Sequence, residues 1–209
     1  MNALDDTALP ETAPAGVLRF WFGAHPLDEA AMQAMQPLWF RKSDEFDERI
    51  RARFAPAVAA ALAGRLDGWA ARPEGRLALL VLLDQFTRNL FRGQPQSFAG
   101  DARALAIALQ GIELEHDQAV PPMARLFCYL PLEHAEDAAL QARSVALFAR
   151  LLNEAAPAQR AFFAGTLDFA RQHQDVIARF GRFPHRNAAL GRASTAQEAA
   201  WLAQPGAGF

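Results

Sequence analysis

Four clusters of polar residues have the types and spacing to do chemistry. Asp84, Arg88 and Arg92 recur at every fourth position, so on a helix they form one stripe, with Asn89 beside it and Asp84 and Arg88 at ion-pair spacing. A carboxylate–arginine pair with a second arginine left over holds an anion or simply ties a helix down. The second cluster is Pro131-Leu132-Glu133-His134-Ala135-Glu136-Asp137. It reads as the first turn of a helix begun at Pro131, where acids complement the helix dipole and the dipole disfavours a charged His134. The third, Arg179-Phe180-Gly181-Arg182-Phe183-Pro184-His185-Arg186-Asn187, follows a helix end and interleaves arginine with aromatics. That composition suits a phosphate, a carboxylate or a stacked base. Its plain alternative is a loop whose two Phe plug the core while its arginines satisfy helix-end carbonyls. His173, with Asp175 and Arg179, is the fourth cluster, and a solvated helix face explains it.

Other chemistries find less support. Glu113-Leu114-Glu115-His116 has the Glu-x-x-His spacing of carboxylate-bridged metal helices, but those sites need a second copy and the chain has none. Paired cysteines, G-x-S-x-G and a P-loop are all missing, so zinc, the hydrolase elbow and a Walker nucleotide site are unsupported. The sequence therefore points to no metal and no cofactor.

These clusters must be positioned by helices. Leu77 to Gly93 carries Leu79, Leu82, Leu83, Phe86 and Leu90 on one face, while Leu77 and Val81 project on the side of Asp84 and Arg88. Its first half is apolar all round, which predicts the central, most buried helix, from about Arg76 to Arg92, and puts the polar stripe on a partly buried face. Around it the spacing predicts a short helix over Val17–Phe22 stopping at Gly23, and a second segment with Met32, Met35, Leu38 and Trp39. A helix capped by Ser43-Asp44 follows, its stripe Phe46, Ile50, Phe54, Val58 and Leu62 interrupted at Pro56. Gly64 to Gly75 is a connection. Ser97 or Asp101 is expected to cap the next helix, which ends at Gly111. Pro122 to Leu130, Leu132 to Asn153 and Pro157 to Phe180 give three more helices, and Thr195-Ala196-Gln197-Glu198 has the capping-box form. No segment alternates like a strand. The expected fold is all-α, built from antiparallel helix pairs that form either a bundle or a repeat array, in a single domain over residues 13–209 preceded by a flexible tail over 1–12.

Composition agrees. A chain of 209 residues, 52% hydrophobic and with 16 Phe and 4 Trp, buries a sizeable core, and a net charge of -2 lacks the basic footprint of a nucleic-acid binder. Lys42 is the only lysine among 21 basic residues, but the chain is also rich in alanine, so coding bias suffices to explain the arginines. Cys128, the single cysteine, sits in an apolar run and excludes an intramolecular disulfide. With an acidic N-terminus and no apolar run long enough to span a bilayer, the expected setting is soluble and cytoplasmic, with no membrane partner.

The stretches Val17-Leu18-Arg19-Phe20-Trp21-Phe22-Gly23, Leu83-Asp84-Gln85-Phe86 with Arg88-Asn89 and Phe91-Arg92-Gly93, Leu132-Glu133-His134 with Glu136-Asp137, and Arg179 through Asn187 followed by Leu190-Gly191-Arg192 resemble the signatures of the domain of unknown function 924 family. The resemblance runs from about Val17 to Leu202. Thr87, Cys128 and Ala135 depart from it, at none of the charged positions. It implies a helical fold similar to tetratricopeptide repeats, tilts the architecture toward a single repeat-like array, and supplies no activity. The signature positions it marks are Asp84, Arg88, Asn89, Arg92, His134, Glu136, Asp137, Arg182, His185, Arg186 and Asn187.

Two functions follow. In the first, a helical stack presents an arginine- and histidine-lined cleft to an anionic small molecule or peptide end, with Asp84, Arg88, Asn89, Arg92, Glu136, Asp137, Arg182, Arg186 and Asn187 as the binding set. In the second, His134 or His185 is the general acid or base of an enzyme acting on an anionic substrate. Both expect the stripe, the His134 segment and the Arg182–Asn187 loop to meet in one cleft, because one shared polar network is cheaper to satisfy than three buried ones.

Overall fold

The computed structural model describes residues 13–208, and the tail expected over 1–12 lies outside the described residues. The described residues form helices and connecting turns, with no strand among them. None of the helices is long and apolar enough to cross a membrane.

The core is organised around one rod. It begins as α4 (Pro73–Leu80), loosens into a π-helical turn over Val81–Phe86 and closes as α5 (Thr87–Leu90). Every residue from Leu77 to Leu83 is at most 1% exposed, as an all-round apolar stretch requires. Helices α1 (Pro14–Phe22), α3 (Asp44–Leu62), α6 (Asp101–Glu113) and α7 (Pro122–Glu133) pack around the rod. The π turn shifts the register by one residue at the point where the polar stripe begins. Thr87, one of the three departures from the family resemblance, closes this turn by donating its hydroxyl to the Leu83 carbonyl at 2.8 Å.

Beyond the rod, α7, α8 (Ala138–Glu154) and α9 (Arg160–Phe180) pack in succession. Short connections make consecutive members antiparallel, so α7 and α9 run the same way. Helix α2 (Glu29–Trp39) covers the other side, and its Trp39 indole donates to the Trp21 carbonyl at 2.8 Å. Trp21 joins α1 to the core, with ring centroids 5.5 Å from Phe86 and 5.6 Å from Phe127. The capping box at Thr195 is formed in both directions and starts α10 (Ala196–Leu202), whose Trp201 packs 5.6 Å from Phe180.

Several boundaries differ from expectation. Helix α3 runs unbroken through Pro56. Helix α7 continues through Pro131, which falls in its last turn. His134 is therefore the residue that closes α7, and α8 starts only at Asp137, whose carboxylate accepts from Leu140 N at 2.9 Å. Neither Ser97 nor Asp101 caps α6. Gly100 holds that position, the Ser97 hydroxyl donates to the Phe91 carbonyl, and Asp101 turns toward two arginines.

Candidate functional site

A cleft of about 900 Å³ opens between the α5 end of the rod, α2 and the α7–α9 layer. Its apolar and polar linings separate along the helices. On α7 the lining runs Leu126, Leu130, then Glu133 and the closing His134, and on α9 it runs Phe162, Phe169, then His173. Because α7 and α9 are parallel, both gradients end at the same place, where Arg88, His185 and Arg186 also face the cleft. Asn89 and Arg92 line it from α5 and the residues just beyond.

The polar end is built on Asp84, 1% exposed in the π turn. Its carboxylate accepts from His134 Nδ1 at 2.7 Å and from Gln85 at 2.6 Å, and it pairs with Arg88 at 3.2 Å. Burial works against its ionisation, but the Arg88 and His134 neighbours win and hold the carboxyl below the usual range. Arg88 forks onto Asp101 at 2.9 and 3.2 Å, and Asp101 also accepts from Arg186 at 3.1 Å. The other arm of Arg186 donates to the His134 carbonyl at 3.0 Å, and its guanidinium lies 4.8 Å from Phe98 and 4.6 Å from Phe183. Burial and then Arg88 lower its pKa to about 10. Asp47 of α3 takes Arg92 at 2.6 Å and Asn89 at 2.7 Å, so Arg92 is not the unpaired charge its spacing suggested.

Sequence reasoning left Glu133 out of the binding set. It is 4% exposed, and among the described residues its ion-pair contact is His173 Nδ1 at 3.4 Å. Burial, then the nearby Asp84 charge, push its carboxyl up to about 8. His173, expected on a solvated face, is instead 5% exposed, and its Nδ1 donates to the Phe169 carbonyl at 2.9 Å. The signal was present, since Ala170, Val176 and Ile177 share its helical face and are buried with it. Burial lowers its pKa to about 3, and that of His185 to about 4. Glu133, His134 and His173 bring three metal-capable ligand atoms within 4.8 Å of one another, a grouping that spacing along the chain does not disclose.

Arg88, Asn89 and Arg92 of the stripe, His134 and the His185–Arg186 half of the loop meet at the cleft as expected; Asp84, expected in the binding set, stands behind it as their support, and the rest of the set lies elsewhere. Arg182 forks onto Glu198 at 2.6 and 2.8 Å. Glu136 accepts from Phe183 N at 2.8 Å and from Arg192 at 2.7 and 3.0 Å. Asn187 accepts from Arg192 and donates to Ser194, and Asp137 caps α8. These four residues do not line the cleft: Glu136 fastens the segment after α9 to the α7–α8 turn, while Arg182 and Asn187 tie that segment together and to α10. The dipole at His134 also reverses. It stands at a helix C-terminus, which favours positive charge, and the donors expected from a helix start there do not exist. The carbonyls at that end are taken by Gln141, at 2.6 Å from Glu133 O and 2.8 Å from Ala135 O, and by Arg186.

The fold and this site define an all-helical protein with a half-apolar, half-polar cleft whose polar end is a carboxylate-held histidine. The chain belongs to the family described as bacterial protein of unknown function, DUF924, whose model matches residues 17–206. It is also similar to the solved structure of a protein of unknown function, ATU0120, from Agrobacterium tumefaciens. The two are 39% identical with a TM-score of 0.76, over 91% of this chain and 96% of that one. No curated protein matches.

Proposed function

We propose that the cleft binds a small molecule or peptide end with an apolar body and an anionic head. The observation that carries this reading is the common polar end of α7 and α9. The apolar trough spans about 10 Å of α7 and about 16 Å of α9 before the polar residues begin. Exposed Phe40 and Phe169 rim it, at 58% and 55% exposure, which suits an entering apolar body. At the other end, Arg88, Arg186 and three histidines face the cleft, whereas Asp84 and Asp101, which pair with those arginines, do not line it. The arginines are thus held in place from behind and present their positive side to the head.

Titrating a straight-chain carboxylate of medium length, with the amine of equal length as control, while following the emission of Trp39 tests this. The carboxylate saturates, the amine binds at least about tenfold more weakly, and Arg186→Gln removes the difference, a charged hydrogen bond being worth about 1.5–3 kcal/mol. Equal binding of the two would overturn the anionic head.

The 2.7 Å contact of His134 with Asp84 favours a second reading, in which the carboxylate orients His134 to move a proton on the bound molecule. Turnover of the bound molecule that His134→Gln abolishes while binding persists would select it.

A further inference from the structure

Glu133 is the anomaly of the cleft. Every other titratable residue lining it is an arginine or a histidine, and a carboxyl there adds nothing to the capture of an anionic head. Nor does it serve the arginine network, since Arg88 and Arg186 are engaged with Asp84, Asp101 and the His134 carbonyl. Its neighbours are two imidazoles. We propose that Glu133, His134 and His173 hold a divalent transition-metal ion of the zinc or ferrous kind at the polar end of the cleft.

Two imidazoles and one carboxylate are a donor set for such ions, and three protein ligands leave coordination positions open for the head of the bound molecule. Bonds of about 2.0–2.2 Å place the donor atoms of one ion about 3–4 Å apart; one nitrogen of each imidazole and a Glu133 oxygen already lie within 4.8 Å of one another, and because Glu133 Oε1 now stands 3.4 Å from His173 Nδ1, the side chains must turn for Nε2 to face the ion. The surroundings are those of a ligand set. His134 Nδ1 donates to the Asp84 carboxylate and His173 Nδ1 to the Phe169 carbonyl. Both bonds fix the proton on Nδ1 and leave the lone pair on Nε2, the arrangement by which outer partners orient metal-bound histidines. The C-terminal end of α7 adds its negative dipole where Glu133 and His134 stand, favouring a cation. Asp84 and Asp101, behind the cleft, offset the two arginines that an added cation would otherwise face. The ion deepens the proposed function by giving the anionic head a ligand in addition to the arginines. Its test uses no organic ligand, so either idea fails without the other.

The experiment is a titration of untagged, chelator-stripped protein with Co²⁺, followed by visible absorption, and then displacement by Zn²⁺. One equivalent of Co²⁺ saturates the protein with the intensified d–d bands of a low-symmetry histidine site, and Zn²⁺ bleaches them. Glu133→Gln and His173→Gln each weaken uptake by about 100-fold or more, whereas Asp84→Asn, which removes no ligand but alters the outer partner of His134, weakens it about 10–100-fold. His25→Gln, at a histidine paired with Glu74 away from the cleft, leaves uptake unchanged. Circular dichroism checks the fold of each variant, and the wild-type arm decides where a variant misfolds. Folded wild type that takes up no equimolar Co²⁺ overturns the site, as does uptake indifferent to both Glu133→Gln and His173→Gln in folded protein.

Discussion

Asp84 accepts from Gln85 and His134 and pairs with Arg88, so one buried carboxylate sets the geometry of side chains from the rod and from the end of α7. Asp84→Asn keeps the shape but removes the charge, leaving Arg88 with Asp101 alone and turning a donor toward His134 or Gln85. Breaking a buried pair from one side costs about 3 kcal/mol or more. Equilibrium unfolding in urea should show that loss, and Asp84→Asn combined with Arg88→Met should recover part of it, because Asp101 still has Arg186. A neutral single variant would mean the carboxylate is solvated. A second residue-scale expectation concerns Glu198, whose pKa is lowered to about 2, first by the hydrogen bond from Arg182. A depressed carboxylate contributes stability that is complete above its unfolded pKa and is lost as pH falls through the folded one. The docking of α10 therefore weakens between about pH 4.5 and 2, and Glu198→Gln should flatten that part of the pH profile of stability. At this scale the i,i+4 pair Asp84–Arg88 was legible, because both partners lie on one helix. Asp101 and His134 were not legible as its partners, nor was Asp47 as the partner of Arg92 and Asn89, since other helices deliver them and spacing along the chain carries no record of that.

Helices with continuous apolar faces declared themselves, and the errors cluster at prolines. A proline forbids a donor but not a helix, and whether the chain stops at Pro56 or Pro131 depends on tertiary packing that a local pattern does not contain. The Pro131 misplacement had a chemical consequence, since it assigned His134 to the wrong pole of a helix dipole. The π turn was equally invisible, being a one-residue slip inside an unbroken apolar run. It explains Gly100, where an added Cβ would overlap the Leu83 carbonyl. Gly100→Ala must push α6 off the rod, and overpacking of this kind costs about 1–3 kcal/mol. Leu83→Ala, a cavity at the same contact, should cost about 2–5 kcal/mol. If alanine at position 100 proves neutral in thermal unfolding, the close approach of α6 to the π turn is absent.

On the scale of the molecule, the cleft is walled by elements far apart in sequence, with α2 and α5 on one side and α7 and α9 on the other. A ligand touching both sides binds the folded chain and not the unfolded one, so it stabilises by mass action, by about 2.7 kcal/mol at a concentration one hundred times its dissociation constant. For a chain of this size each kcal/mol moves the unfolding midpoint by about 2–4 °C, so saturation with the medium-chain carboxylate should raise it by about 5–10 °C. Phe169→Ser, which removes an apolar rim residue that is already exposed, should leave the unliganded midpoint nearly unchanged while reducing the shift. Arg182→Ala, in contrast, should lower the unliganded midpoint by freeing Glu198 and leave the shift intact, because Arg182 does not line the cleft. A shift that disappears in Arg182→Ala but survives in Phe169→Ser would move the binding site from the cleft to the segment after α9.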